Sequence, residues 1–169
     1  MRRWALIATL CAAGLAQAAP VAPELPASCP AGLPATDALG RALPVAASRE
    51  QSLLVVFWSP DCAFCRRHNE KLRQLLHEVP GAAVITVGVD GSALAIRTIA
   101  SRRAYDFPVL VEGDGACALR RQLTPRRVVP MTCWLGDAPT QPRCIPGEMS
   151  VQDLRELLMA QARSRRHSW

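Results

Sequence analysis

The chain lacks three features that would each indicate a particular class of protein: a strong excess of one charge, an apolar run of membrane-spanning length, and an internal repeat. Its formal net charge is +6 over 169 residues, too weak a basic balance to indicate nucleic-acid binding. Only Lys71 among the 20 basic residues is a lysine, which we attribute to genome composition. The length and the absence of repeats predict one folded domain.

Residues 1–18 have the pattern of a secretory signal peptide. Arg2 and Arg3 precede an apolar run from Trp4 to Ala16, and Ala16-Gln17-Ala18 has the small-x-small form of a cleavage site. We predict cleavage between Ala18 and Ala19, which would lower the net charge from +6 to +4 and leave a periplasmic or otherwise exported protein. The apolar run is short for a membrane span, but an uncleaved N-terminal anchor stays open as the alternative.

Buried strands and amphipathic helices alternate along the rest of the chain. Strands are predicted over residues 53–58, 83–89, 107–111, 128–135 (interrupted by Pro130) and 143–145, with a small hairpin at Gly40. Helices are predicted over 62–79 and 92–105, briefly after 114, and after the cap Ser150, with Leu94 and Val151 among the core-facing residues. We expect residues 19–32 to form an extended lead-in, 33–162 the domain and 163–169 a loose basic tail. This order predicts an α/β fold, a central mixed sheet with helices on both faces.

Cysteine occurs in an informative number. Six cysteines would remain after signal cleavage: Cys29, Cys62, Cys65, Cys117, Cys133 and Cys144. An even number in an exported chain fits an oxidising compartment and up to three disulfides. Cys133 and Cys144 lie on the two arms of a predicted hairpin, where cross-strand pairing would bring them into disulfide range. The pairing of Cys29 and Cys117 stays open.

The most informative motif is Phe57-Trp58-Ser59-Pro60-Asp61-Cys62-Ala63-Phe64-Cys65. A buried strand leads into a Cys-x-x-Cys at a helix start, where the helix dipole favours a thiolate on the first sulfur. This arrangement indicates thiol–disulfide exchange: Cys62 attacks a partner disulfide, and Cys65 resolves the mixed disulfide. A purely structural disulfide or two inert thiols is the alternative.

Two neighbouring side chains are candidates for supporting roles. We interpret Asp61 as a helix cap, although its charge beside Cys62 would raise the pKa of that thiol. His68, on the inward side of the helix, is a possible base for the Cys65 proton, and a buried histidine bonded to the backbone is the alternative. Four arginines lie beside the motif and beside the segment before Pro130: Arg66, Arg67, Arg126 and Arg127. They could contact an acidic partner, and the alternative is a solvated charged surface with no function in binding.

With Val129-Pro130-Met131-Thr132 about 65 residues after the cysteines, the chain resembles the thioredoxin superfamily, and more narrowly the exported TlpA/ResA-like thiol–disulfide oxidoreductases. Phe57-Trp58 before Cys62-x-x-Cys65 matches the family motif, and the stretch from Val89 to Leu123 resembles its helix-and-strand insert. The resemblance covers roughly residues 33–160. It implies a thioredoxin-like fold, a cis Pro130 facing the active-site disulfide, and contact between the Val129 backbone and the substrate.

The resemblance implies a reductase of the cytochrome c maturation or TlpA type that acts on disulfides of partner proteins and receives electrons from a membrane donor. We expect a monomer without a cofactor. Asp61 and His68 depart from the tryptophan and glutamate usual in the family at these positions, so the direction of electron flow stays open. A thiol oxidase would use the same residues, since direction depends on potential. The large helical insertion of DsbA-type oxidases is not evident, which favours reduction.

Metal handling is a second class of function that the motif allows. Cys62, Cys65 and His68 form Cys-x2-Cys-x2-His, which could hold Cu(I) or zinc with a fourth ligand from elsewhere. Haem attachment is not indicated, because Arg66 stands where Cys-x-x-Cys-His requires histidine. A binding module without chemistry is the third alternative.

Overall fold

The structure is a computed structural model that describes residues 35–43, 52–113, 119–136 and 142–166. The predicted signal peptide at 1–18, the lead-in at 19–32, Cys29 and Cys117 lie outside the described residues. Within those residues the chain forms five strands and four helices. Their bounds are β1 Leu53–Trp58, α1 Ala63–Glu78, β2 Val84–Gly88, α2 Ala93–Arg102, β3 Val109–Val111, α3 Leu119–Leu123, β4 Met131–Leu135, β5 Arg143–Pro146 and α4 Val151–Arg166.

The strands form one mixed sheet in the order β3-β2-β1-β4-β5. Strand β1 pairs parallel with β2, and β2 pairs parallel with β3, as expected for strands joined by helical crossovers. Strand β4 pairs antiparallel with both β1 and β5. The predicted α/β fold is confirmed, and α2 with β3 forms the predicted helix-and-strand insert.

The core consists of two clusters, one on each face of the sheet. Strand β1 contributes to both, because successive side chains of a strand point to opposite faces: Leu54, Val56 and Trp58 join α1, α2 and α4, whereas Leu53, Val55 and Phe57 lie on the face of α3. Every residue of β1 is buried. Burial on both faces explains the uninterrupted apolar run in the sequence.

The predicted hairpin at Gly40 is present as a bridge between Thr36 and Ala42. Asp37 attaches it to the sheet, because its carboxylate accepts from the Val109 backbone N–H at 3.2 Å and from the Arg41 guanidinium at 2.6 Å. Arg41 also donates to the carbonyl oxygens of Tyr105 and Phe107. The buried carboxylate is therefore satisfied by hydrogen bonds, as burial of a charge requires.

Three sequence-based expectations about the helices are wrong. Leu94 is 74% exposed, because it lies in the first turn of α2 and Ile96 takes the core position against Gly88. Val151 is exposed because it is the first residue of α4, whereas Leu154 and Leu158 are fully buried. Helix α4 continues to Arg166 instead of ending before a loose tail, consistent with the high helix propensity of arginine.

Candidate active site at the start of helix α1

Cys62 and Cys65 lie where β1 gives way to α1, and they form a disulfide. Cys62 is the N-cap residue, with extended backbone (φ −92°, ψ 110°), and its Sγ accepts from the Cys65 backbone N–H at 3.0 Å. Cys62 is half-buried and Cys65 is fully buried. The interpretation of Asp61 as the cap is wrong, because the Cys62 sulfur occupies the capping position and Asp61 is exposed.

The segment before β4 lies against this disulfide. The Val129–Pro130 peptide bond is cis, and the Val129 carbonyl oxygen lies 3.8 Å from the Cys62 Sγ. The register of the sheet produces this approach, because Met131, the first residue of β4, pairs with Phe57 near the end of β1. Val129 is half-buried and Pro130 is buried, so the backbone next to the exposed side of Cys62 is that of Val129.

His68 lies one turn beyond Cys65 and is fully buried. Its Nε2 lies 3.2 Å from Thr132 Oγ1, and its Nδ1 accepts from the Met149 backbone N–H at 3.3 Å. Because Nδ1 accepts, the proton of the neutral ring is on Nε2, which donates to Thr132. Burial, with a smaller contribution from Lys71, lowers the pKa of His68 to about 4. His68 therefore joins α1 to β4 and to the segment before α4 as a neutral ring.

Both ring nitrogens of His68 are thus engaged away from the cysteines. Its role as a base for Cys65 stays a prediction, because proton uptake at Nδ1 requires the hydrogen bond from Met149 to break. Sequence reasoning missed Thr132 and Met149 as partners. The two-residue period of a strand could have indicated Thr132, because it places the Thr132 side chain on the opposite face of the sheet from those of Met131 and Cys133.

A charged cluster lies beside this contact. Glu148 accepts from Arg67 Nη2 and from Lys71 Nζ, both at 2.7 Å, and these bonds lower the pKa of its carboxyl group. Lys71 also donates to the Met149 carbonyl oxygen at 2.9 Å. The segment before α4 is therefore held against α1 by two cations as well as by His68, and sequence reasoning did not predict this role for Glu148.

The predicted disulfide between Cys133 and Cys144 joins β4 to β5, at positions paired directly across the two strands. Cys133 is fully buried and belongs to the core cluster on the α3 face. This bond lies two residues beyond Met131, on the strand that follows the cis proline. It attaches the edge strand β5 to the strand that borders the candidate site.

The geometry does not favour the metal-binding alternative of Cys62, Cys65 and His68. In the part of the chain that the structure describes, no three side chains of His, Cys, Asp or Glu are grouped so that they could hold a metal ion. The imidazole is turned towards Thr132 and Met149 by its two hydrogen bonds.

Among the residues that the structure describes, no helix has the length and hydrophobicity needed to cross a bilayer.

No protein-family model matches the chain, and no curated protein matches it in sequence. Solved structures do match its fold. A secreted Mycobacterium tuberculosis disulfide oxidoreductase homologous to Escherichia coli DsbE is 23% identical, with a TM-score of 0.57 over 75% of this chain and 93% of that protein. A thiol:disulfide interchange protein from Chlorobium tepidum is 15% identical, with a TM-score of 0.62 over 75% and 90% of the two chains.

An exposed lipoprotein thioredoxin from Streptococcus pneumoniae is 18% identical, with a TM-score of 0.61 over 74% of this chain and 96% of that protein. The TM-scores of these structures, all above 0.5, show a shared fold. The chain therefore has the thioredoxin-like fold, with a Cys-x-x-Cys disulfide at the start of α1 and a cis proline before β4.

Proposed function

We propose that this protein is an exported thiol–disulfide oxidoreductase that reduces disulfides of partner proteins through Cys62 and Cys65. The observation that carries the proposal is the position of Cys62: its half-buried sulfur caps α1 and lies 3.8 Å from the Val129 carbonyl oxygen. A sulfur at a helix N-terminus is stabilised as a thiolate, and an extended partner segment can pair with the free backbone beside it.

The reaction starts from the dithiol form of the protein. The Cys62 thiolate attacks one sulfur of the partner disulfide, a mixed disulfide forms, and the second partner sulfur leaves as a thiolate. Cys65, once deprotonated, attacks Cys62, restores the Cys62–Cys65 disulfide and releases the first partner sulfur. Two electrons pass to the partner, which becomes a dithiol, and a donor must supply two electrons for the next cycle. We predict a membrane protein as that donor.

The Cys65 N–H and His68 have distinct roles in this scheme. The N–H, 3.0 Å from Cys62 Sγ in the oxidised form, remains available to hydrogen-bond the Cys62 thiolate. In this proposal His68 acts as the base for Cys65 when its hydrogen bond from Met149 opens. Val129 supplies the backbone contact for the partner, next to Pro130.

The reduction potential of the Cys62/Cys65 pair tests the direction of transfer. It is measured by equilibration with glutathione buffers, with the Cys133–Cys144 bond monitored by mass spectrometry. A value near or below about −230 mV supports a reductase that needs a donor, whereas a value near about −120 mV indicates a thiol oxidase and contradicts the proposed direction. A Cys62→Ser variant that reduces disulfides at the wild-type rate would contradict the mechanism as a whole.

Export is proposed on the residues of the N-terminal segment, Arg2-Arg3 followed by an apolar run and Ala16-Gln17-Ala18. Two proteins of the same fold are described as secreted or exposed, which supports this proposal. A mature N-terminus at Ala19, measured by intact mass on protein from the periplasm or medium, is the expected result. Recovery of the uncleaved chain in membranes would favour the anchored alternative.

A further inference from the structure

We propose that the surface around Cys62 selects partner segments that carry acidic residues within two or three positions of the disulfide cysteine, next to an apolar residue. This inference rests on the proposed function and adds the class of substrate segment. It is argued from a rim that we define by four exposed residues close in sequence to Cys62 or to Val129: Phe64, Arg126, Arg127 and Val128.

The rim presents two apolar side chains to solvent. Phe64 is 60% exposed and Val128 is 50% exposed, although burial of either would be favourable. Phe64 follows Cys62 by two residues, and Val128 precedes the residue whose carbonyl oxygen lies 3.8 Å from the Cys62 Sγ. The Arg67 guanidinium lies 4.7 Å from the centroid of the Phe64 ring. Exposed apolar side chains close in sequence to the reactive sulfur and its backbone neighbour offer a partner segment apolar area to bury.

The rim also carries the positive charge of two arginines, one of which, Arg127, interacts electrostatically with Asp90. Arg126 and Arg127 are both exposed, and neither side chain makes a hydrogen bond or ion pair with any other residue that the structure describes. They precede Val129 by three and two residues, so their Cα atoms lie within about 11 Å of the Val129 Cα even if the backbone is fully extended. This distance is close to one Debye length at physiological ionic strength.

The positive charge continues away from Cys62. Arg127 lines a cavity of about 250 Å³ together with Arg121, Arg120 and Glu112. The buried Arg120 is neutralised there by Asp90 at 2.9 Å and by Glu112 at 3.2 Å. Arg121, which is exposed, has no such partner among the described residues. Among these described residues three arginines, Arg120, Arg121 and Arg127, therefore outnumber the two carboxylates Asp90 and Glu112.

Acidic groups near the site do not cancel this excess. Glu148 is engaged by both Arg67 and Lys71, and Asp61, beside Cys62, is a single exposed carboxylate. Arg126, Arg127 and Val128 directly precede Val129 in the chain. A partner segment that pairs with the Val129 backbone would place its next residues beside Val128 and then beside the two arginines. Carboxylates at those positions would speed association, because charge complementarity raises on-rates more than it raises affinity.

The test uses three peptides that share one intramolecular disulfide and one adjacent leucine, with two Asp, two Asn or two Lys residues beside the reactive cysteine. The second-order rate constant for reduction by the dithiol protein is measured by acid quench and mass spectrometry. We compare the wild type with Arg126→Gln/Arg127→Gln. The matched control is Arg102→Gln/Arg103→Gln, which removes the same charge at the C-terminal end of α2, where both arginines are exposed.

For the wild type we expect the Asp peptide to react about tenfold faster than the Lys peptide at low salt. In 1 M salt, where the Debye length is about 3 Å, the ratio should fall below about twofold. The Arg126/Arg127 variant should show a ratio near two at low salt, whereas the control should keep the wild-type ratio. Equal rates for the three peptides, or the same loss of ratio in the control, would overturn the inference alone. Failure to reduce any of the three peptides would overturn the proposed function as well.

Discussion

Protonation of His68 should destabilise the oxidised protein as the pH falls. The pKa of His68 is lowered from 6.5 to about 4, mainly because the ring is buried. Lys71 adds to this shift, and Glu148 opposes it. Protonation must also break the hydrogen bond that Nδ1 accepts from Met149. The unfolded chain therefore binds the proton more readily than the folded chain does.

The sign and size of the effect follow from linkage. The folded pKa lies below the unfolded value, so the contribution of His68 is fully present above pH 6.5 and is lost as the pH falls to about 4. A shift of this size corresponds to about 3 kcal/mol of unfolding free energy lost by pH 4, most of which is already lost by pH 4.5.

The assay is urea unfolding of the oxidised protein at pH 7 and pH 4.5, with wild type, His68→Gln and His77→Gln. His68→Gln should be less stable at pH 7, because glutamine cannot satisfy Thr132 and Met149 together, but its stability should change less with pH. His77 lies on the exposed side of the same helix, so His77→Gln should keep most of the wild-type dependence. Equal losses between the two pH values for wild type and His68→Gln would refute the reasoning.

Two further predictions concern the fold. Gly88→Ala should destabilise the protein by about 1–3 kcal/mol, because a Cβ there would lie 2.5 Å from Ile96 Cγ2; wild-type stability in urea unfolding would show that Ile96 moves aside without cost. Replacing Cys133 and Cys144 together by alanine should cost about 3 kcal/mol, from the entropy of a loop of that length in the unfolded chain. An unchanged urea midpoint in the double variant would contradict this.

The strands and the site could be predicted where the signals are local. Strand β1 has the predicted bounds, because an apolar run buried on both faces is bounded by polar residues and by Ser59-Pro60. Helix α1 was predicted one residue too long at each end, with Pro80-Gly81 as its stop. Ser92 was predicted as the cap of α2, and its Oγ accepts from the Ala95 N–H at 3.1 Å.

Other features depend on packing between distant segments. The contact between His68 and Met149 joins residues 81 positions apart, and no local pattern around His68 indicates it. The burial of Arg120 depends on Asp90, 30 residues earlier, since a lone arginine in a short helix is more often exposed. The sequence predicts a core position for Leu94 wrongly, because helical periodicity near a helix start fits more than one face.

The two cysteine pairs lie on opposite sides of the sheet. Cys65 belongs to the core cluster with α1, α2 and α4, whereas Cys133 belongs to the cluster on the face of α3. The hydrogen-bonded backbone of the strands separates them, so a thiolate of one pair cannot reach the other disulfide while the sheet is intact. The sheet therefore separates the two disulfides, so that in the proposed function exchange at Cys62 and Cys65 would leave intact the bond that holds β5 in place.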